Sequence, residues 1–178
     1  MTSSDVTVLR AGAIEEIAGR VGESYEGTPG TGPRVAVVCA KFNGGITERL
    51  LAGVLAGLAD HGVDRTSIKV AWVPGAFELP LVAARFAHSD RADAVIALGA
   101  VIRGDTAHFE YVAGECASGL QRVALDSGVP VAFGVLTTED VEQALVRSEP
   151  GPDNKGYEAA VTALEMVDLL GKLPAEPR

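Results

Sequence analysis

The sequence predicts an α/β fold, a three-layer α/β/α sandwich around a central, mainly parallel four-stranded sheet. Three observations predict it. Four short apolar runs, at 35–39, 68–73, 94–102 and 129–135, have the continuous hydrophobicity of strands buried on both faces. Between them apolar residues recur at helical spacing, and strict alternation of strand and helix favours parallel pairing. The vocabulary is also small and aliphatic, with aromatics at only 5%, which suits strands packed tightly beneath helices.

Each element follows in turn. Val6 to Leu9 offers a short strand, and residues 11–26 a short helix. Residues 27–33 read Gly-Thr-Pro-Gly-Thr-Gly-Pro, which no regular element tolerates, so 1–33 is read as an N-terminal extension with a flexible linker. The same run superficially matches a phosphate loop, but it precedes a strand and is stopped by Pro33, whereas a phosphate loop follows one and opens a helix. From Val35 to Cys39 comes the first core strand. Ile46, Leu50, Leu51, Val54, Leu55 and Leu58 then mark a helix that stops at His61-Gly62. Ile68 to Val73 is the second strand, Pro74-Gly75 turns the chain, and a helix is expected from Phe77 to His88. Ala94 to Ile102 is the third strand, followed by an amphipathic helix carrying Phe109, Val112, Cys116, Leu120 and Val123. Val129 to Val135 is the fourth strand, Glu139 to Arg147 a shorter helix, and a Pro-Gly loop leads to a last helix with Ala160, Leu164 and Val167. The expected division is an extension over 1–33, one domain over 34–172 and a C-terminal tail over 173–178.

The formal net charge of −9 repels nucleic acid and anionic membrane, so nucleic-acid binding is set aside and any anionic ligand needs a local cation. No apolar run approaches the roughly 20 residues of a membrane span, and Met1 to Arg10 lacks a basic start with an apolar stretch behind it, so a cytoplasmic location without membrane partners is expected. Cys39 and Cys116 form no CxxC and have no histidine at ligand spacing, which reads as two buried, reduced thiols.

In a doubly wound sheet the ligand site lies beyond the carboxyl ends of the strands. After the first strand come Lys41-Phe42-Asn43, where Phe42 either folds back into the core or presents a flat surface for a planar ring. After the second, Ala76-Phe77-Glu78 stand at a helix start with free backbone N–H groups, and Glu78 either serves the helix dipole or a ligand. After the third, Arg103-Gly104-Asp105-Thr106-Ala107-His108 combine a turn, Asp105 or Thr106 as a helix cap, and a histidine in the first turn placed to exchange a proton beside an anion site. His61 and His88, at helix ends away from this edge, are read as bystanders. Phe133 is a second candidate stacking surface. Arg147 and Lys155, flanking the Pro-Gly loop, are either phosphate anchors or a pair of solvated cations.

In order along 34–172, these segments resemble the lumazine synthase family. The resemblance rests on Lys-Phe-Asn at 41–43, Ala-Trp-Val-Pro-Gly-Ala-Phe-Glu at 71–78, and Gly-Ala-Val-Ile-Arg-Gly-Asp-Thr-Ala-His-Phe-Glu-Tyr-Val at 99–112. It is completed by Phe-Gly-Val-Leu-Thr-Thr-Glu at 133–139 and Asn-Lys-Gly at 154–156. It implies a flavodoxin-like, doubly wound domain that condenses 5-amino-6-(D-ribitylamino)uracil with 3,4-dihydroxybutan-2-one 4-phosphate, releasing phosphate and water, with no cofactor and no metal. It further implies that Phe42 stacks on the pyrimidine, that Ala76, Phe77 and Glu78 bind its ribityl chain and ring, that Ala100, Val101 and Ile102 line the same pocket with backbone groups, and that Asn43 is among the substrate-binding residues. Asp105 and Thr106 fall at the phosphate end, with His108 as proton shuttle. Phe133 and Arg147 are expected from a neighbouring subunit, Arg147 holding the phosphate, with Lys155 a secondary candidate near that end, and the shared site makes a homopentamer the minimum assembly. In this family pentamers either stop there or build icosahedral shells, and riboflavin synthase is a candidate partner. The long extension and Ser-Glu-Pro-Gly-Pro-Asp at 148–153 depart from the family pattern. Two other readings remain: a relative that holds a lumazine or flavin without making it, and a chiefly shell-forming protein. A nucleotide-dependent oxidoreductase is disfavoured, because no Gly-x-Gly-x-x-Gly follows the first strand.

Overall fold

The computed structural model describes Leu9 and residues 12–174. Apart from Leu9, the strand expected at Val6 to Leu9 falls outside the described residues, as does 175–178 of the tail. The elements are α1 (Ala13–Ala18), β1 (Val35–Ala40), α2 (Gly44–Asp60), β2 (Ile68–Val73), α3 (Leu79–Ala87), β3 (Ala94–Ile102), α4 (His108–Ser127), β4 (Val131–Thr138), α5 (Val141–Arg147) and α6 (Lys155–Lys172), with short 3-10 turns at Arg65–Ser67 and Ala76–Glu78. The four strands form one parallel sheet in the order β2-β1-β3-β4. The chain therefore winds outward from β1 to β2, then crosses back over β1 to β3. Right-handed crossovers in opposite directions put the connecting helices on opposite faces, which is the expected three-layer, doubly wound arrangement.

Every residue of β1 is buried, and its pleat feeds two cores. Val35, Val37 and Cys39 meet Leu50, Val54 and Leu58 of α2 and Ala160, Ala163 and Leu164 of α6. Ala36, Val38 and Ala40 meet Leu79 and Ala83 of α3 and Cys116, Leu120 and Val123 of α4. Both cysteines are buried among these side chains, which pushes the Cys39 thiol up to about 12 and Cys116 up to about 11. At the amino edge of the sheet, Arg34 grips Asp93 through Nε (3.0 Å) and Nη2 (2.6 Å), tying the start of β1 to that of β3.

Helices α2 and α6 approach closely because glycines face the other helix. A Cβ on Gly156 would stand 1.9 Å from the Leu50 carbonyl oxygen, and one on Gly53 2.1 Å from Asn154 Oδ1. Asn154 is buried and caps α6, its Oδ1 accepting from the Gly156 N–H at 2.8 Å. Its Nδ2 donates to the carbonyls of Ser148 (2.9 Å) and Glu149 (3.0 Å), which fixes the Pro-Gly loop against both helices.

Several boundaries differ from expectation. The first helix is confined to α1, six residues. The expected helix from Phe77 is divided, a 3-10 turn over Ala76–Glu78 preceding α3, with Pro80 in the first turn of the helix. Strand β4 runs on to Thr138, so α5 starts later than Glu139, with Asp140 as its cap accepting from the Gln143 N–H at 2.7 Å. Buried Thr138, whose hydroxyl donates to the Asp140 carbonyl at 2.9 Å, keeps this stretch extended. Within the expected extension, residues 26–28 make defined contacts with α6. The Thr28 N–H and hydroxyl donate to Asp168 at 2.8 and 3.1 Å, Lys172 Nζ donates to the Glu26 carbonyl at 2.9 Å, and a Cβ on Gly27 would stand 2.1 Å from the Glu165 carbonyl oxygen.

Candidate active site

The winding reverses between β1 and β3, and the connections that leave their carboxyl ends, α2 and α4, pack on opposite faces of the sheet, where such folds leave a crevice. Three chain segments build its walls. The first continues β1, with the Lys41 N–H donating to the Val73 carbonyl (2.9 Å) and the Phe42 N–H to that of Pro74 (3.0 Å). Phe42 is thereby held out from the sheet at 72% exposure, so it does not fold back into the core. Asn43 turns the chain into α2 in the left-handed region, φ 55°, a conformation that Asn adopts more readily than most residues. Its Nδ2 donates to the Ala100 carbonyl at 2.9 Å, bridging β1 and β3 across the reversal point.

The second segment is the turn after β2. The Gly75 N–H donates to the Glu78 carboxylate at 2.9 Å, and the Glu78 N–H returns to the Gly75 carbonyl at 3.3 Å. This reciprocal pair holds the 3-10 turn and leaves Phe77 largely exposed. The third segment follows β3. The Arg103 N–H donates to the Thr138 carbonyl (2.9 Å), the chain crosses Gly104–Ala107 exposed, and α4 begins at His108. The capping expectation is corrected here. Ala107 occupies the cap position, Thr106 Oγ1 accepts only a long 3.4 Å contact from the His108 N–H, and Asp105 is exposed. In that first turn the His108 N–H has only this long contact, and the Glu110 N–H donates to the Ala107 carbonyl at 3.2 Å.

Together these segments enclose a cavity of about 660 Å³ lined by Phe42, Asn43, Ala76, Phe77, Glu78, Ala100, Val101, Ile102, Thr106 and His108. Ten expected site residues meet in this one place; Asp105 is not in the lining. Tyr111 and Val112 join them on the face of α4 that carries His108, three and four residues on. Sequence reasoning missed both, although helical periodicity from His108 would have found them.

Phe133, Arg147 and Lys155 lie elsewhere. They line a second cavity, about 480 Å³, between the free edge of β4 and helices α5 and α6, and share it with Thr137, Glu158 and Thr162. No residue lines both cavities. Phe133 is half-exposed, and Arg147 Nη1 donates to the Gln143 carbonyl at 3.0 Å. Lys155 pairs with Glu158 at 2.5 Å, so the charged side chains of this cavity leave one cation in excess, which suits an anion.

The remaining histidines are used locally. His61 Nδ1 contacts the Gly57 carbonyl and His88 Nδ1 that of Ala84, both at 2.8 Å, each satisfying the last turn of its helix. No helix among the described residues is long and apolar enough to cross a membrane. The model of a family described as 6,7-dimethyl-8-ribityllumazine synthase matches residues 32–171.

Proposed function

This chain belongs to the 6,7-dimethyl-8-ribityllumazine synthase family, a transferase family of riboflavin biosynthesis, and from that premise we propose its substrates, its site and its assembly. The substrates are 5-amino-6-(D-ribitylamino)uracil and 3,4-dihydroxybutan-2-one 4-phosphate, and residues 34–172 form the catalytic domain. The observation that carries this reading is the convergence of a stacking ring, a carboxylate and a histidine, Phe42, Glu78 and His108, in one cavity. Phe42 offers the uracil a flat face. Glu78, already oriented by the Gly75 N–H, accepts hydrogen bonds from ring or ribityl donors. The backbone of 100–102 lines the wall.

The chemistry follows from the reactants. The uracil's 5-amino group attacks the ketone, and loss of one water gives an imine. Proton removal and elimination of phosphate follow, and the ribitylamino nitrogen closes the ring with loss of a second water. His108, at the cavity rim, exchanges the protons of these steps. Holding the two reactants together contributes most of the acceleration, up to about 7–11 kcal/mol in ideal systems.

The phosphate needs a cation, and the His108 cavity contains no Lys or Arg in its lining. The excess cation lies in the β4 cavity of the same chain. A second copy that presents its β4 edge to the His108 cavity supplies Arg147 and Phe133, with Lys155 and Thr106 near the phosphate end and Asp105 beside them. Cyclic repetition of this head-to-tail contact closes a ring, and a pentamer is the minimum assembly.

The test is turnover by the purified protein, followed through the lumazine's absorbance against an uncatalysed control. Acceleration that falls in Arg147→Ala, chiefly through a raised KM for the phosphate substrate, supports the reading. Subunits of Arg147→Ala and His108→Ala, dissociated and reassembled together, should recover activity towards about a quarter of wild type, because random mixing restores that share of sites. Failure to recover in demonstrably mixed oligomers overturns the shared site, and no acceleration by the wild type overturns the enzyme reading.

A further inference from the structure

Arg103 has no place in the pocket lining, yet it is the most connected side chain beside it. It stands at the last turn-off from β3, and its backbone N–H is bonded to Thr138 at the end of β4. Its guanidinium spans two carboxylates on two further segments: Nη1 donates to Glu110 Oε1 in the first turn of α4 (2.5 Å), and Nε to Glu139 Oε2 just past β4 (2.6 Å). The planar group lies 4.2 Å from the centroid of the Phe109 ring. Phe109 and Glu110 are the two residues that follow His108. Between Arg103 and His108 the chain is exposed throughout, and its one side-chain bond is the long Thr106 contact.

We propose that Arg103 is a positioning residue for His108. Its fork fixes the first turn of α4 against the carboxyl ends of β3 and β4, and so sets the height and angle at which the imidazole meets the cavity. All three side chains are more than a third exposed, so the pairs contribute little to global stability. Their value lies in geometry. One planar group addresses two carboxylates and a ring at once, which an ammonium on a flexible stem does not do. The inference rests on the proposed reading of His108 as the proton-transferring group.

The experiment compares wild type, Arg103→Met, Arg103→Lys and Glu110→Gln. In Arg103→Met, kcat should fall on the order of ten- to hundredfold while KM for both substrates and the thermal midpoint stay near wild type, because a displaced acid/base loses orientation and not binding. Arg103→Lys should fail to restore kcat. Combining Glu110→Gln with Arg103→Met should add little beyond Arg103→Met alone, as expected of partners in one unit. Independently of turnover, amide hydrogen exchange over 104–110 should quicken in Arg103→Met. If wild type turns over and Arg103→Met matches it, or if exchange over 104–110 is unchanged, the positioning role is wrong and the enzyme reading stands. If wild type itself shows no acceleration, the enzyme reading fails, and this role fails with it.

Discussion

At the scale of single residues, two side chains carry separable tasks. Asn43 closes the strand crevice with its amide and turns the backbone at φ 55°. Asn43→Gly removes the bond to Ala100 and keeps the turn, at a cost of about 1 kcal/mol. Asn43→Ala loses both, so it should cost roughly 1–2 kcal/mol more. Urea midpoints of the two variants measure the difference, and equal midpoints would refute the backbone argument. His108 touches only the chemistry in this reading. His108→Ala should therefore lower kcat by about a hundredfold to ten-thousandfold and no further, leaving slow turnover with substrate binding intact. A variant that binds both substrates but is fully inactive would sink the view that orientation dominates. At this scale the stacking, cap and bystander residues differ in how legible they are. Phe42 was ambiguous from sequence, because an aromatic at a strand end has the same letter whether it turns in or out. Only the hydrogen bonds of Lys41 and Phe42 to the Val73–Pro74 segment hold it outward.

At the scale of elements, the α2–α6 contact is governed by what is missing from it. Gly156 leaves room for the Leu50 carbonyl, so Gly156→Ala forces the helices apart and should destabilise by about 1–3 kcal/mol or more. Gly114 is also helical, but a Cβ there meets nothing within 4 Å. Gly114→Ala should stabilise by about 0.5–1 kcal/mol through helix propensity alone. Thermal midpoints moving in opposite directions would separate packing from propensity; a loss at both positions would refute the assignment. The same contact explains the Asn-Lys-Gly segment at 154–156. Asn154 is a buried cap and Gly156 a close-packing point, while Lys155 faces the β4 cavity paired with Glu158.

At the scale of the whole molecule, residues 26–28 of the N-terminal extension are held on α6 by the Asp168 carboxylate and by the Lys172 bond to the Glu26 carbonyl. Asp168 accepts from the Thr28 N–H and hydroxyl and from Lys172 Nζ. Lys172 and Thr28 hold its carboxyl below the usual value of 3.8. A depressed carboxyl contributes above its unfolded value and loses that contribution as pH falls through the folded one. The docking of 26–28 on α6 should therefore persist at neutral pH and loosen only below about pH 4. Asp168→Asn should loosen it at neutral pH already and remove the acid step. Limited proteolysis across 20–33 at neutral pH reads this directly, and identical cleavage of wild type and Asp168→Asn would remove Asp168 as the tether.

The sequence by itself determined the layered fold, the strand runs and the edge at which to look. Continuous apolar strands and 3.6-residue helix spacing are local patterns set by burial on two faces or one. It also named most of the cavity lining, since those residues follow the strands directly. It did not determine which residue of 104–107 caps α4, or that 26–28 lie on α6, whose partners Asp168 and Lys172 stand at the other end of the chain. The residue pattern did not show that Phe133, Arg147 and Lys155 occupy a cavity of their own; only the family resemblance implied that Phe133 and Arg147 reach the site from a neighbouring subunit. That division was decided by sheet order alone: β4 lies at an edge beyond β3, while the crevice opens between β1 and β3. Strand order is a property of how crossovers pack on a twisted sheet, and no local run of residues records it.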